Sequence, residues 1–361
     1  MIVPFTDLRL LHNHAREELD KEVSKCINKS SFILDSQVRK FEIRYSKFCQ
    51  SKYCITTGSG LDALTMLLLA HGIKKGDEVL VPSHTFIASW LSVTHTGATP
   101  VPVDIDTDSF NIDYKEIEKK ITKSTKAVVV VHLYGQLADI EKIRKICNKF
   151  KLFLFEDAAQ AHGAKSNSVF IGSHSDGAAF SFYPTKNLGC FGDGGAVITN
   201  KKKIKDKISA LRNYGSTVKY KSSIIGYNSR LDEIQAAILN VKLKQLNKYI
   251  QLRKCVAERY LNEINNSKIK LPYVSDISKH VWHLFVIKSD DRSRLIEYLD
   301  KKNIQTVIHY PIPPYRQQCY KKYKYTSKKT DELCKSILSI PIYPFMQKNK
   351  ISFVIDALNN F

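Results

Sequence analysis

Leu152-Phe153-Leu154-Phe155-Glu156-Asp157-Ala158-Ala159-Gln160 is the stretch on which the reading of this chain turns. Four apolar residues followed by an acidic pair describe a buried strand that ends in a carboxylate, the edge at which open α/β sheets present side chains to a ligand. An isolated aspartate in that place would serve equally well as a helix N-cap. Outward from it, apolar or β-branched runs bounded by turn residues recur at 53–57, 78–82, 99–103, 127–133, 178–182 and 196–199. Helical patterns alternate with them at 61–71, 114–121 and 138–150, the last placing Ile140, Ile143, Cys147 and Phe150 on one stripe. Strands and helices in alternation imply an α/β fold with a largely parallel sheet covered on both faces. A long helix is expected from about 231 to 251, leading into a smaller unit with strands at 280–287 and 305–309 and a helix at 292–302. The predicted division is a large unit over 1–250 and a small one over 251–361.

Downstream of Asp157, the run Ser181-Phe182-Tyr183-Pro184-Thr185-Lys186-Asn187 sets a lysine in a polar turn after a strand rather than on a charged helix face. Removal from water lowers a lysine's pKa and makes its amine nucleophilic. A lysine able to form an imine and a carboxylate able to hold a pyridinium nitrogen are what pyridoxal phosphate requires of its protein. Gln160 is placed to donate to that cofactor's ring oxygen. Thr57-Gly58-Ser59-Gly60-Leu61 joins a strand to an apolar helix, and the free amides of Gly60 and Leu61 at a helix start form a phosphate seat. It is neither a Walker loop nor a full dinucleotide fingerprint. Phe86, after another strand end, offers an aromatic face for stacking, although core packing is the ordinary use of such a residue. His309 and Tyr310 end a strand in the small unit and can project polar tips into a cleft.

The bulk properties exclude other classes. With 361 residues and 43% hydrophobic content the chain is long enough for two structural units with a substantial core. No apolar run approaches the roughly 18 residues of a membrane span, and the first residues lack a signal-peptide core. Eight cysteines without a C-x-x-C pair read as reduced thiols of a cytoplasmic protein, with no metal site expected. The net charge of +21 is spread over lysine pairs and triplets with no nucleic-acid-binding motif. It suits attraction of an anionic small substrate better than nucleic acid.

The runs EDAAQAHGA at 156–164, SFYPTKNLGCFGDGGAVIT at 181–199, RNYG at 212–215 and GYNSRLDEIQAAIL at 226–239 resemble the DegT/StrS-type sugar aminotransferases over nearly the whole chain. The resemblance implies an aspartate aminotransferase-like, fold type I architecture: a three-layer αβα large domain with a mixed, mostly parallel sheet, and a smaller C-terminal α+β domain. It implies that Lys186 carries pyridoxal phosphate, Asp157 pairs with the pyridinium nitrogen, Gln160 contacts the ring oxygen and Ser181 binds phosphate. Asn228 is implied to reach the phosphate of a neighbouring subunit in a homodimer with shared active sites. The family commonly reads G-T-x-A-L where this chain has Gly60-Leu61-Asp62-Ala63-Leu64, so Leu61 offers only its amide. The implied chemistry is a two-stage transfer from L-glutamate, through pyridoxamine phosphate, to a nucleotide-linked keto sugar. The stretches His132-Leu133-Tyr134-Gly135-Gln136 and His309-Tyr310-Pro311 look most like enzymes that aminate C3 of dTDP-3-keto-6-deoxyhexoses, with amination at C4 of a 4-keto sugar as the alternative. Tyr183, His309 and Tyr310 are then expected to line the sugar pocket, and a surface glycan such as an O-antigen is the expected destination of the product.

Overall fold

The computed structural model describes residues 1–166, 169–274 and 276–361. Three helices open the chain: α1 (Leu8–His14), α2 (Arg16–Lys29) and α3 (Ser36–Phe48). Strands and helices then alternate: β1 (Tyr53–Thr57), α4 (Gly60–Ala70), β2 (Glu78–Pro82), α5 (Ile87–His95), β3 (Thr99–Val103), α6 (Tyr114–Ile117), β4 (Thr125–Val131), α7 (Ile140–Lys149), β5 (Phe153–Asp157), β6 (Gly177–Ser181), β7 (Gly195–Thr199) and α8 (Lys202–Leu211). A small hairpin, β8 (Ser216–Val218) and β9 (Lys221–Ser222), precedes α9 (Glu233–Leu243) and α10 (Leu246–Glu263). The rest comprises β10 (Phe285–Lys288), α11 (Arg292–Lys301), α12 (Lys328–Ser336), β11 (Ile337–Ile340) and α13 (Lys348–Asn359).

The seven strands form one sheet in the order β1-β7-β6-β5-β4-β2-β3. The pairs from β6 through β5, β4 and β2 to β3 are parallel, whereas β7 runs antiparallel to both β6 and β1. Strand β4 shows why its continuous valine run belongs in the middle: Ala127 and Val129 face one core while Val128 and Val130 face the other. One core packs Leu64, Leu67 and Trp90 under the sheet. The opposite face packs Phe41, Tyr45, Phe180 and Phe182 against Leu239 of α9. A further core gathers Val256, Tyr260, Phe285, Leu295, Leu338 and Val354, and Val3 from the amino terminus joins it.

Three expectations need correction. The helix predicted over 231–251 is two helices, because Lys244 and Gln245 donate to carbonyls three residues back and break the ladder between α9 and α10. Residues 280–284 are not strand: Val281 and Leu284 instead donate to the carbonyls of Gly135 and Tyr134, so only Phe285–Lys288 is left to pair with β11. The run 305–309 splits its partners, Gln305 donating to Val3 and Val307 bridging Ser339, and makes no ladder. No helix among the described residues is long and apolar enough to cross a membrane.

Candidate active site

The parallel strands bring their carboxyl ends to one edge, and the residues there line a cavity of about 740 Å3. Val131 closes β4, Asp157 closes β5 and Ser181 closes β6, all three in the cavity wall. Strand β1 points the same way and hands over to Ser59, whose hydroxyl caps α4 by accepting from the Asp62 amide at 3.1 Å. Gly60 must lack a side chain here, since a Cβ would lie 2.6 Å from the Cβ of Ser181. The close approach sets the Ser181 hydroxyl beside the bare start of α4, where backbone amides attract an anion.

Lys186 sits half-buried in the wall of this cavity, in the loop between β6 and β7, its amide donating to the Tyr183 carbonyl at 2.9 Å. Burial lowers its pKa to about 8, against the opposing pull of the Asp157 charge. Asp157 is held in place by the Ser89 hydroxyl at 2.7 Å and the Ala159 amide at 3.1 Å. A hydrogen-bonded carboxylate and an easily deprotonated amine therefore line one cavity. That donor set fits a pyridine ring carrying an aldehyde: the carboxylate for the ring nitrogen, the amine for the carbonyl carbon, and the α4 start with Ser181 for a phosphate.

Gln160 is buried beside them and already engaged. Its Oε1 accepts from the Tyr134 amide at 2.6 Å, and its Nε2 donates to the Tyr310 hydroxyl at 2.9 Å. Tyr310 also packs against Phe86, with ring centroids 5.5 Å apart. Burial and then the Asp157 charge push the Tyr310 phenol above its ordinary value, while the bond from Gln160 works the other way. His309 is pushed down to about 4 by burial and by Lys186, so it is a neutral ring at pH 7. Its Nδ1 shares a hydrogen bond of 2.8 Å with the Ser339 hydroxyl.

Tyr134, a buried residue that the motif reading left without a role, ties these groups together. Its hydroxyl donates to the His309 carbonyl and lies 2.7 Å from Nε2 of His84. Since that single proton goes to His309, His84 donates through Nε2–H and keeps Nδ1 to accept from the Cys334 thiol, 3.7 Å away. Burial lowers His84 to about 4 and keeps it neutral, as this arrangement requires. The next residue, Gly135, has φ +99° and no room for a Cβ, which would meet Val281 at 2.9 Å.

Of the residues singled out in the sequence, Gly60, Leu61, Phe86, Asp157, Gln160, Ser181, Tyr183, Lys186, His309 and Tyr310 all line this cavity. Asn228 does not. It is exposed and pairs with Asn213 outside the cavity. Arg253 and His283, which no motif in the sequence flagged, also line the wall. Both lie where the chain is irregular or helical, without a glycine turn or strand end to mark them.

A profile of the DegT/DnrJ/EryC1/StrS aminotransferase family matches residues 13–359. The chain belongs to this family. It is 46% identical to the dTDP-3-amino-3,6-dideoxy-alpha-D-galactopyranose transaminase of Aneurinibacillus thermoaerophilus, covering 100% of this chain and 99% of that protein. The crystal structure of S. venezuelae DesV in complex with a ketimine intermediate superposes with a TM-score of 0.97 at 40% identity, over 99% of this chain and 98% of that one. NtdA of Bacillus subtilis, solved with bound cofactor PMP, superposes with a TM-score of 0.94 at 33% identity, over 99% of this chain and 85% of that one. The chain thus shares its fold, over almost its whole length, with both of these solved structures.

Proposed function

We propose that this protein is a pyridoxal-phosphate-dependent aminotransferase that moves an amino group from L-glutamate to C3 of a dTDP-linked 3-keto-6-deoxyhexose. The observation that carries this reading is the meeting of Lys186, with its pKa lowered to about 8, and a hydrogen-bonded Asp157 in one cavity of about 740 Å3. Asp157 would hold the pyridinium nitrogen, and Ser181 with the Gly60 and Leu61 amides would hold the phosphate. The cofactor, when bound, supplies an electron-withdrawing ring that accepts negative charge from the carbon bearing the amine.

The protein's own groups do the rest. Lys186 as a free amine would take the donor's α-proton as base and, as the ammonium, give a proton up to the carbon on the other side of the transferred nitrogen as acid. A pKa near 8 suits both duties at neutral pH. Tyr183, His309 and Tyr310 bind sugar hydroxyls flanking the ketone, and the neutral His309 both donates and accepts. Overall, glutamate and keto sugar become 2-oxoglutarate and amino sugar, with no net oxidation. The substrate assignment is supported by the 46% identity to a transaminase named for the 3-amino-3,6-dideoxy product.

On this reading the active unit is a cytoplasmic homodimer serving surface-glycan biosynthesis, with residues 1–250 as the cofactor-binding unit and 251–361 as the smaller one. The segment around β8 and β9 supports a partner copy: Tyr220 and Ile225 are 91% and 94% exposed, and Val218 and Tyr227 are exposed beside them. A single chain rarely leaves so many large apolar groups together in water, and Asn228 follows directly. Incubation with L-glutamate and either dTDP-3-keto- or dTDP-4-keto-6-deoxyglucose, followed by NMR of the product, tests the reading. A 3-amino sugar from the 3-keto compound is expected. Product from the 4-keto compound alone would overturn the choice of carbon.

A further inference from the structure

Lys242 on α9 is a buried ammonium held only by uncharged groups. It is 2% exposed, and among the described residues no carboxylate lies within ion-pair distance of it. Its Nζ donates to the Gly189 carbonyl at 2.7 Å and to Nε2 of His12 at 3.3 Å, and it lies 4.7 Å from the centre of the Phe191 ring. An imidazole nitrogen that accepts from an ammonium has to be unprotonated, and burial together with the Lys242 charge lowers His12 to about 4. A carbonyl, an imidazole lone pair and a ring face each attract a cation without cancelling its charge. Burying such a charge opposes folding more than an apolar side chain of similar length would. The contribution of Lys242 therefore lies in what it grips.

What it grips is the turn that carries Lys186. The neck of that turn is closed by the Cys190 amide, which donates to the Phe182 carbonyl at 2.8 Å. Inside the neck, buried Gly189 is folded against Pro184, where a Cβ would lie 2.5 Å from the proline carbonyl oxygen. Holding the Gly189 carbonyl thus restrains Pro184, two residues before Lys186. Helix α9 takes hold at two points seven residues apart on one face: Lys242 at Gly189, and Gln235, whose Oε1 accepts from the Phe191 amide at 2.7 Å. The same ammonium reaches α1 through His12, whose ring meets that of Phe191 edge-on at 4.5 Å. Thr6 and Leu8 share one narrow crevice with Pro184, Lys186 and Lys242, so the amino-terminal segment lies along the turn. Thr6 also belongs to the cavity wall. One cation thereby joins a core helix, the turn bearing Lys186 and the segment that completes the cavity.

We propose that Lys242 is a positioning residue for Lys186: it clamps the turn to α9 and to the amino-terminal segment, and so sets where the reactive amine stands in the cavity. The proposal rests on the reading of Lys186 as the cofactor-bearing lysine. Lys242 itself lies outside the cavity wall and acts through the Gly189 carbonyl. An apolar residue would fill its space but leave that buried carbonyl unpaired and the turn loose.

Two substitutions separate positioning from packing. Lys242→Met keeps the apolar stem and removes the donors, whereas Lys242→Arg keeps donors and charge. In cofactor-free protein the pH midpoint of Lys186 acetylation is about 8 in the wild type. It is expected to rise by roughly one unit in Lys242→Met, because a loosened turn admits water to the amine, and to stay near the wild-type value in Lys242→Arg. In holoenzyme, Lys242→Met should lower the maximal rates of both half-reactions roughly 10- to 100-fold, with half-saturating glutamate and sugar concentrations within about threefold. Lys242→Arg should recover most of that rate. The melting temperature should move little, since losing a buried charge and losing the carbonyl's partner act in opposite senses. An unmoved midpoint in Lys242→Met would overturn the proposal. Equal rate losses in both variants that track a lowered melting temperature would make Lys242 a packing residue and overturn it too. If Lys242→Met does not fold, His12→Leu removes one acceptor and leaves the Gly189 bond; a smaller rise of the midpoint is then expected, and none would refute the clamp. Wild-type protein that takes up no cofactor at Lys186 would instead remove the transaminase reading, while the acetylation midpoints would still decide whether the two lysines are tied.

Discussion

At the scale of single residues, two lysines are set apart from the other basic groups, and only one of them faces the cavity. Lys186 and Lys242 are both lowered to about 8 by burial, but Lys242 donates to the Gly189 carbonyl at 2.7 Å outside the cavity wall. Pulse acetylation of the cofactor-free protein should therefore label Lys186 with a half-maximal rate near pH 8, measured by peptide mass spectrometry. The shift also affects stability. The folded protein releases the Lys186 proton at about 8 and the unfolded chain at 10.5, so the protonated amine opposes folding below pH 8 and the penalty fades between those values. In cofactor-free protein, Lys186→Met should melt higher than wild type at pH 7, with the difference shrinking toward pH 10. Asp157→Asn keeps the shape of the Ser89 and Ala159 contacts but removes the charge. Its holoenzyme is expected to lose roughly 10²- to 10³-fold in kcat in steady-state assay. The sequence made both residues legible because each follows an apolar strand. Arg253 was not legible as a cavity residue, since it sits within the helical pattern of α10 with no strand end or glycine turn to mark it.

At the scale of elements, the seven sheet strands were readable to within two residues, as was the helix closing at His71–Gly72. Their bounds are set by local physics: apolar runs cut by turn residues, and a serine cap with glycine at the stop. The helices α1, α2, α3, α5, α8, α12 and α13 went unread. Charged α1 to α3 bury only occasional residues, and apolar α5 shows no clear stripe. Phe150, placed on the α7 stripe by its spacing, lies past the helix end and is partly exposed. The reversal of β7 is likewise set by sheet order rather than by local pattern. Two tests belong at this scale. Gly60→Ala forces α4 away from β6 and should destabilise the protein by about 1–3 kcal/mol in thermal denaturation while weakening cofactor retention. Tyr134→Phe removes the donor to the His309 carbonyl and the hydroxyl partner of His84. It should raise KM for the nucleotide-sugar while leaving the glutamate half-reaction within about twofold of wild type, as separate half-reaction kinetics would show.

At the scale of the whole molecule, one cavity is built from strand ends of the large sheet and from the irregular C-terminal stretches 281–284 and 307–310. Neither set closes the site alone. The smaller core includes Val3, so the two ends of the chain pack together and seat Phe5 and Thr6 in the cavity wall. Such long-range closure was invisible to a reading of local patterns, and the C-terminal strands were misjudged for that reason. The proposed partner copy gives a further expectation: with Tyr220 and Ile225 as its exposed apolar contacts, Tyr220→Asp with Ile225→Asp should lower the sedimenting mass toward that of a single chain in analytical ultracentrifugation. The account as a whole stands on one covalent attachment. Borohydride reduction of the holoenzyme followed by peptide mass mapping should find the pyridoxyl phosphate mass on the peptide containing Lys186 and on no other. An adduct on Lys242, or no adduct on any lysine of a protein incubated with the cofactor, would contradict it.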